Sequence, residues 1–230
     1  MSRHLTTNNL LAARIYLSGS RGCSLLDWFR SYHVFNFGNY QEESRKPFGR
    51  LQVLNDDTLA ATKCIRMQVE EPTEVLILPI AGGVEYRNSK GEHIFLGAGE
   101  YLSFSGNHLN YEITNPYNEE LVNYLQIWVK QQEQADSLQV GELSLSRINE
   151  LTEFHHSTDC SMWIGKFDGR VKGELPLQNL DNEFFVYVIE GAFEVEDRLL
   201  ESRDGLSLKN TKSLEFEALS NEAILMIIAL

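Results

Sequence analysis

The apolar and polar positions of the chain form short runs that predict strands joined by tight turns. Positions 75–80 (VLILPI) make a continuous apolar run rich in branched residues, which is typical of a strand buried on both faces. Gly82 and Gly83 end this run, 84–86 alternate, and 88–91 (NSKG) supplies residues that tolerate positive φ in a turn. Since a helical period is rare along the chain, the pattern predicts an all-β fold of antiparallel strands.

The same order of strands and turns occurs twice. The segment 184–208 repeats the apolar run, the glycine turn and the short strands that follow. Gly191 corresponds to Gly82, and Asp204 corresponds to Glu100, at nearly equal offsets. An internal duplication of this kind predicts two units of one fold in a single chain.

The length of the chain fits this division. Its 230 residues are enough for two small globular domains, and 43% of them are hydrophobic. The polar, charged stretch 131–137 follows an apolar strand and is the best linker. We therefore predict an N-terminal unit at residues 10–132 and a C-terminal unit at 138–230.

Composition and charge exclude several classes of partner. The net charge of −13 repels phosphate backbones, and the basic cluster of Arg45, Lys46 and Arg50 is expected to be a solvated loop, so no nucleic acid is predicted. No apolar run is long enough to span a bilayer, and the N-terminus lacks a signal-peptide core, so we expect a cytoplasmic protein with no membrane partner. Reduced thiols, buried as small hydrophobes, are expected at Cys23, Cys64 and Cys160.

Three stretches of the chain resemble the pirin family. They are 28–57 (WFRSYHVFNFGNYQEESRKPFGRLQVLNDD), 73–91 (TEVLILPIAGGVEYRNSKG) and 121–129 (LVNYLQIWV), and residues from Ser144 onward are similar to the second barrel of that family. The resemblance implies a bicupin, which is an all-β chain of two stacked antiparallel β-barrels of the double-stranded β-helix or jelly-roll type. It also implies that any metal site is confined to the N-terminal barrel. The order of these residues carries the resemblance: Trp28, His33, Phe35, Phe37, Tyr40, Asn55, Asp57, Glu74, Gly82, Ser89, Gly99, Gln126 and Trp128.

The resemblance also locates the metal ligands of the family, and here they are replaced. Where the family has HxHxxxE, this chain reads QVEEPTE, so Gln68 and Glu70 stand at the two histidine positions. Counting along the later strand places Asn110 and Glu112 at the remaining positions, and we expect all four side chains to converge inside the first barrel. Without imidazole the set is a poor site for a redox metal, although the carboxylates leave weak Ca²⁺, Mg²⁺ or Mn²⁺ binding open. We favour a polar, hydrogen-bonded interior with no cofactor.

Two like charges inside a barrel would be costly. We therefore expect Glu70 and Glu112 either to open to solvent or to accept hydrogen bonds, with the amides of Gln68 and Asn110 as the nearest donors.

The remaining histidines offer weaker candidates for ligands. His108 lies two residues before the predicted Asn position and is an alternative ligand, but a loop histidine bonded to backbone is favoured. His33 is interpreted as a hydrogen-bonding core residue. The adjacent His155 and His156, close to Cys160, resemble metal ligands by composition. Because neighbouring strand residues point to opposite faces, we expect an incidental pair instead.

Three functions are compatible with these features. The favoured one is a metal-free, pirin-related binding or regulatory protein that acts on a small molecule or a protein partner and is not an enzyme. The second is a metal-dependent dioxygenase of the pirin or quercetinase type with altered ligands. The third is a sensor whose polar barrel residues bind an organic ligand. No hydrolase, P-loop or dinucleotide motif is present in the sequence.

Overall fold

The computed structural model of the protein describes residues 12–176, 183–211 and 213–230. Within these ranges the chain forms twenty-one strands and short 3-10 turns, which confirms the predicted all-β class. No helix of the described residues is long and apolar enough to cross a membrane. The strands are β1 (Ala12–Tyr16), β2 (Gly22–Leu26), β3 (Phe29–His33), β4 (Leu51–Leu59), β5 (Cys64–Val69), β6 (Thr73–Ala81), β7 (Val84–Asn88), β8 (His93–Leu96), β9 (Glu100–Gly106), β10 (Leu109–Thr114), β11 (Val122–Lys130), β12 (Leu138–Glu142), β13 (Glu150–His156), β14 (Ser161–Phe167), β15 (Lys172–Pro176), β16 (Glu183–Glu190), β17 (Ala192–Val195), β18 (Arg198–Glu201), β19 (Gly205–Lys209), β20 (Ser213–Ala218) and β21 (Ala223–Ala229).

The strands form four antiparallel sheets, two in each unit. The first unit pairs a seven-stranded sheet, in the order β12-β9-β6-β11-β4-β3-β2, with a four-stranded sheet, β5-β10-β7-β8. The second unit pairs a six-stranded sheet, β1-β19-β16-β21-β14-β13, with a four-stranded sheet, β15-β20-β17-β18. The pairing of the described strands leaves each pair of sheets open, so closure into barrels stays a prediction.

The duplication predicted from the sequence is visible in the topology. The order β9-β6-β11-β4-β3 of the first unit corresponds, strand for strand, to β19-β16-β21-β14-β13 of the second. Gly82 and Gly191 end corresponding strands at φ of 75° and 78°, values that favour glycine. Glu100 accepts a hydrogen bond from the backbone N–H of Gly97 at 2.6 Å, and Asp204 accepts the equivalent bond at 3.0 Å.

In each unit, one edge strand of the large sheet comes from outside that unit in the sequence. β1 comes first in the chain but pairs with β19 of the second unit, with Ala12 opposite Lys209. β12 follows the first unit in sequence but pairs with β9 of that unit, with Leu138 opposite Phe104. The limits of 10–132 and 138–230 remain a prediction. β1 lies within the first range but belongs to the second unit, and β12 lies within the second range but belongs to the first.

Three apolar cores separate the four layers. Alternate residues of β6 serve two of them, since Val75 and Ile77 pack in the first unit while Leu76 and Leu78 pack in a middle core between the two large sheets. The third core lies inside the second unit. Both large sheets are therefore buried on both faces, which explains their continuous apolar runs. Full burial of one such side chain stabilises the fold by about 1.5–3 kcal/mol.

Two expectations about charge and thiols are corrected by burial. Arg45 is buried rather than solvated, because its guanidinium donates hydrogen bonds to the carbonyl oxygens of Leu17 and Ser20 at 3.2 and 2.9 Å. Of the free cysteines, Cys160 is buried as expected, whereas Cys23 is exposed on strand β2, which lies at the edge of its sheet.

Candidate functional site

The predicted ligand positions lie on one face of the sheet β5-β10-β7. Asn110 is directly opposite Gln68 in the antiparallel pairing, and Glu112 is opposite Arg66. Gln68 and Asn110 are exposed, Glu112 is partly exposed, and Glu70 directly follows β5 and is exposed. The positions are therefore close together, but they face solvent.

The expected placement inside the first unit is wrong, because the opposite face of the same strands packs there. Met67 and Val69 of β5, with Leu109 and Tyr111 of β10, contact the core of the first unit. Alternate residues of a strand face opposite sides, so these apolar residues take the inward positions and turn the polar ones outward. The inward positions of β5 and β10 therefore hold no imidazole and no carboxylate, and these side chains do not fit the transition metal of a cupin.

The two carboxylates of the predicted set avoid the cost of burial. Glu70 is exposed, and Glu112 accepts a hydrogen bond from Arg66 Nε at 2.7 Å. That bond lowers the pKa of the Glu112 carboxyl below its usual value, against a smaller opposite effect of burial. His108, with φ of 50°, is exposed in the turn before β10. Of the two expected arrangements, the opening to solvent is the one observed for Glu70.

A shallow groove of about 350 Å³ covers this outward face. Its lining residues carry two guanidinium groups, two side-chain amides, a hydroxyl and a carboxylate, although most of the surface that they present to the groove is apolar. A second ion pair, between Arg87 and Glu85 at 3.4 Å, lies at its edge. The groove is lined by Arg66, Arg87, Asn88, Ser89, Asn110, Tyr111 and Glu112.

Buried polar side chains occupy one side of the first unit's interior. His33 of β3 is fully buried, and its Nδ1 lies 2.9 Å from Asn55 Oδ1, while its Nε2 lies 2.8 Å from Ser24 Oγ. Burial lowers the pKa of the imidazole, although the bond to Asn55 acts in the opposite direction. The side of the ring packs against Phe37 at 5.2 Å between centroids. The prediction of a core hydrogen-bonding histidine is confirmed.

Asp57 is the most perturbed carboxyl group of this interior. Burial raises its pKa to about 7, and the neighbouring charge of Asp56 acts in the same direction. Gln126 Nε2 donates to Asp57 Oδ2 at 3.2 Å, and Tyr111 donates its hydroxyl hydrogen to Gln126 Oε1. Trp128 Nε1 donates to the Tyr111 oxygen at 3.2 Å and so completes a chain of hydrogen bonds across the interior.

A second buried cluster lies between the two units. Glu74 of β6 meets His155, near the end of β13, and Cys160, just before β14. His155 Nε2 lies 2.9 Å from Glu74 Oε1, and Cys160 Sγ lies 3.7 Å from Glu74 Oε2. His156 points the other way, as predicted, and its Nδ1 lies 2.7 Å from Ser161 Oγ on the surface. The expectation of an incidental histidine is therefore confirmed for His156 and wrong for His155.

The surroundings of the cluster shift the pKa values of Glu74 and Cys160 in opposite directions. Burial alone would raise the pKa of Glu74, but the contacts with His155, Ser157 and Ser103 outweigh it, and the net shift is downward. Burial, reinforced by the charge of Glu74, raises the pKa of the Cys160 thiol. The cluster therefore contains an ionised carboxylate beside a protonated thiol.

Known proteins share both the fold and the sequence pattern of this chain. Residues 145–228 match the family model described as the quercetinase C-terminal cupin domain. A quercetin 2,3-dioxygenase of Escherichia coli K12 is 25% identical over 92% of this chain and 97% of its own length. The crystal structure of YhhW from Escherichia coli, described elsewhere as a bacterial pirin, superposes with a TM-score of 0.84 at 18% identity, over 95% of this chain and 97% of that one.

The chain is similar to bacterial pirins. The pirin-like protein YhaK of Escherichia coli K12 is also similar, at 26% identity over 55% of this chain and 56% of its own. At these levels of identity the solved structures establish the bicupin fold alone, and the chemistry of this chain depends on its own residues. One of them is YhhW in complex with nickel(II), which superposes with a TM-score of 0.83.

No local pattern in the sequence indicates the cluster between the units of this chain. Glu74 was assigned to the family motif, and its partners lie about eighty residues further along, so no local spacing joins them. A signal did exist, since Glu74 opens a strand whose other residues are almost all apolar, and a carboxylate there is buried with it. A buried ionised group requires a partner.

Proposed function

We propose that this chain is a binding or regulatory protein whose first unit does not use the metal chemistry of flavonol dioxygenases. One observation carries the proposal: the inward positions of β5 and β10 hold Met67, Val69, Leu109 and Tyr111, while the residues aligned with metal ligands face solvent.

The chemistry of dioxygenation explains why this matters. Cleavage of a flavonol requires a metal that can bind the substrate and dioxygen, and imidazole ligands suit such metals. A thioether, two aliphatic side chains and a phenol already engaged with Gln126 and Trp128 supply no comparable donor set. The E. coli relative named quercetin 2,3-dioxygenase supports the fold and ancestry of this chain without supplying its ligands.

An assay of quercetin loss tests the proposal. The protein is incubated in air with quercetin and with Fe²⁺, Ni²⁺ or Mn²⁺ in turn, beside the E. coli relative as a positive control. We expect quercetin loss at the rate of the protein-free solution for each metal. Metal-dependent loss that scales with protein concentration would contradict the proposal and favour the dioxygenase.

A metal-dependent dioxygenase is the second candidate, and a relative with that name over almost the full length favours it. Its metal would need a donor set other than the aligned positions. Among the described residues, the cluster of Glu74, His155 and Cys160 brings together the donors of a metal site, but those residues are buried between the units. A flavonol would have to part the two large sheets to reach it.

The outward groove is where we propose that a ligand binds. Guanidinium groups recognise carboxylates through paired N–H donors, so Arg66 and Arg87 favour a small organic acid that competes with Glu112 and Glu85. A thermal-shift screen of organic acids is the measurement. Hits should lose their effect in Arg66→Ala combined with Arg87→Ala, and keep it in Arg147→Ala, an exposed arginine elsewhere. Hits unaffected by the double substitution would exclude the groove.

A further inference from the structure

We propose that Glu74, His155 and Cys160 form a binding site for a tetrahedral transition-metal dication of the Zn²⁺ class, between the two units. The site is separate from the aligned cupin positions and from the outward groove, and it does not rest on the proposed function. Glu74 comes from the seven-stranded sheet, whereas His155 and Cys160 flank the β13–β14 connection of the six-stranded sheet.

The three donor atoms have the spacing of ligands. An oxygen, a nitrogen and a sulfur atom lie within 4.8 Å of one another, and all three residues are buried. In a tetrahedral zinc site with bonds of about 2.0–2.3 Å, neighbouring ligand atoms lie about 3.3–3.7 Å apart. The separations of 2.9 Å between Glu74 and His155 and 3.7 Å between Glu74 and Cys160 are close to these values. Small side-chain movements are sufficient to seat an ion.

The imidazole of His155 is buried without hydrogen-bond partners. His155 is only 4% exposed, yet neither ring nitrogen has a hydrogen-bond partner among the described residues. Nε2 lies close to the Glu74 carboxylate, but its N–H does not point at the oxygen as a hydrogen bond requires. A buried polar atom without a partner costs about 1–3 kcal/mol. A metal ion bound to Nε2 would satisfy that atom.

The charges and the surrounding hydroxyls also suit a cation. On binding, the Cys160 thiol would release its proton to solvent and bond to the metal as a thiolate. Carboxylate, thiolate and dication then sum to zero, which removes the unbalanced charge of a buried carboxylate. Ser103 donates to Glu74 Oε1 at 2.9 Å and Ser157 donates to Oε2 at 2.7 Å, so the ligand is already oriented.

Cobalt substitution tests the site in the full-length protein. The chain is produced in medium supplemented with Co²⁺ or Zn²⁺ and purified without chelator, because a buried site fills most readily as the protein folds. We expect about one metal ion per chain, with a thiolate-to-cobalt charge-transfer band and the intense visible bands of tetrahedral cobalt.

Matched variants assign the band to one sulfur atom. Cys160→Ser should lose the charge-transfer band and bind metal at least about 100-fold more weakly, while Cys64→Ser should keep both. Ser103→Ala, which removes only an orienting hydroxyl, should weaken binding about 10–100-fold. A charge-transfer band that survives in Cys160→Ser would overturn the proposal.

X-ray absorption of the zinc-loaded wild-type protein keeps the test decisive if Cys160→Ser fails to fold. One sulfur neighbour at about 2.3 Å with nitrogen or oxygen neighbours at about 2.0 Å is the expected result. Bound metal with nitrogen and oxygen neighbours alone, or wild-type protein that takes up no metal, would refute the site. The quercetin assay is read independently, so either proposal can fail alone.

Discussion

At the residue scale, the interior of the first unit contains a buried carboxyl group whose pKa is raised toward neutrality. Asp57 is an acid with a raised pKa, and its partner Gln126 is an uncharged amide. A protonated carboxyl group can be buried at far lower cost than a carboxylate, because desolvation penalises the charged form. The hydrogen-bond chain from Trp128 to Asp57 gives one carboxyl oxygen of Asp57 a neutral donor, and no counter-ion takes part in that chain.

Asp57→Asn should change how stability depends on pH. Burial raises the pKa of Asp57 from 3.8 to about 7, so between these values the folded protein holds a proton that the unfolded chain has lost. The contribution of this group to the free energy of unfolding therefore falls as pH rises from about 4 to about 7. Since a tenfold change in acidity corresponds to about 1.4 kcal/mol, a loss of several kcal/mol is the upper limit.

Chemical denaturation at pH 4 to 8 measures this effect. The difference in unfolding free energy between Asp57→Asn and the wild type should grow in favour of the variant as the pH rises. Asp27→Asn, at an exposed position, serves as the control and should follow the wild type. Parallel curves for wild type and Asp57→Asn would mean that the buried carboxyl group is ionised throughout.

Arg45→Met should destabilise the protein by about 3 kcal/mol or more. Its guanidinium donates to the backbone carbonyls of Leu17, Ser20 and Val34, and each would be left without its charged donor. A loss of this size lowers the melting temperature by roughly 6–12 °C for a chain of this length. Lys46→Met, at the exposed neighbouring residue, should leave the melting temperature nearly unchanged, and equal effects of the two would contradict the role of Arg45.

The sequence identified the residues of the predicted site but not the direction in which they point. Counting along the motif predicts that Gln68 and Asn110 come together, and these residues are indeed cross-strand neighbours. A shift of one residue exchanges the two faces of a strand, and the alternating apolar positions at Met67 and Val69 decided which face is buried. The pattern of hydrophobic residues was therefore a better guide than the family alignment. The pairing of Glu74 with His155 depends on tertiary packing, which no local pattern encodes.

At the scale of strands, the exchange of β1 and β12 defines how the units are joined. Both strands add to the outer edge of a large sheet, beside β19 and β9. The pattern of the sequence predicts the repeated strand order, because that order depends on local periodicity and turn residues. It could not predict that β1 pairs with the second unit, because a strand's partner is not determined by its own period.

Tyr16→Ala should measure the anchoring of β1. The Tyr16 ring is buried and packs against Phe35 and Phe185 at 5.4 Å between centroids. Loss of a large buried aromatic side chain costs about 3–5 kcal/mol. Ile15→Ala changes an exposed neighbour on the same strand and should cost much less. Thermal unfolding provides the comparison, and similar melting temperatures for the two variants would show that β1 is not held by this contact.

Gly141→Val should loosen β12 from its sheet. A Cβ atom at Gly141 would lie 2.3 Å from Tyr101 Cε1, closer than atoms approach. The buried Tyr101 ring would have to move, and its hydroxyl would lose its bond to the carbonyl oxygen of Phe154. Hydrogen exchange of the β12 and β9 amides should therefore accelerate. Gly19→Ala, where nothing lies within 4 Å, is the control, and unchanged β12 protection in Gly141→Val would contradict this role for Gly141.

At the scale of the whole molecule, the two units share a middle core and a buried ionic contact. Asp56 of the first unit binds Arg21 at 3.1 Å and lies 3.7 Å from Arg203 of the second. The middle core covers the outer faces of both large sheets. Either unit alone would expose that apolar face to water, so we expect one cooperative unfolding transition for the protein.

A cut in the stretch 131–137 should leave the halves associated. The N-terminal fragment would carry β1, which pairs within the second unit, and the C-terminal fragment would carry β12, which pairs within the first. Co-expressed fragments should therefore co-purify as a one-to-one complex, while each fragment expressed alone should be unfolded or aggregated. Gel filtration with circular dichroism is the measurement. Separate, folded fragments would contradict the shared core.

The position of β1 has a consequence for synthesis on the ribosome. Ala12 leaves the ribosome well before its partner Lys209, because almost two hundred residues separate them in the chain. At about 5–20 residues per second, β1 waits about 10–40 s for β19 to appear. During that interval the nascent N-terminal half presents both an unpaired strand and one uncovered apolar sheet face. Translation itself therefore exposes a surface on which chaperones can act, and the strands of the second unit end that exposure when they emerge.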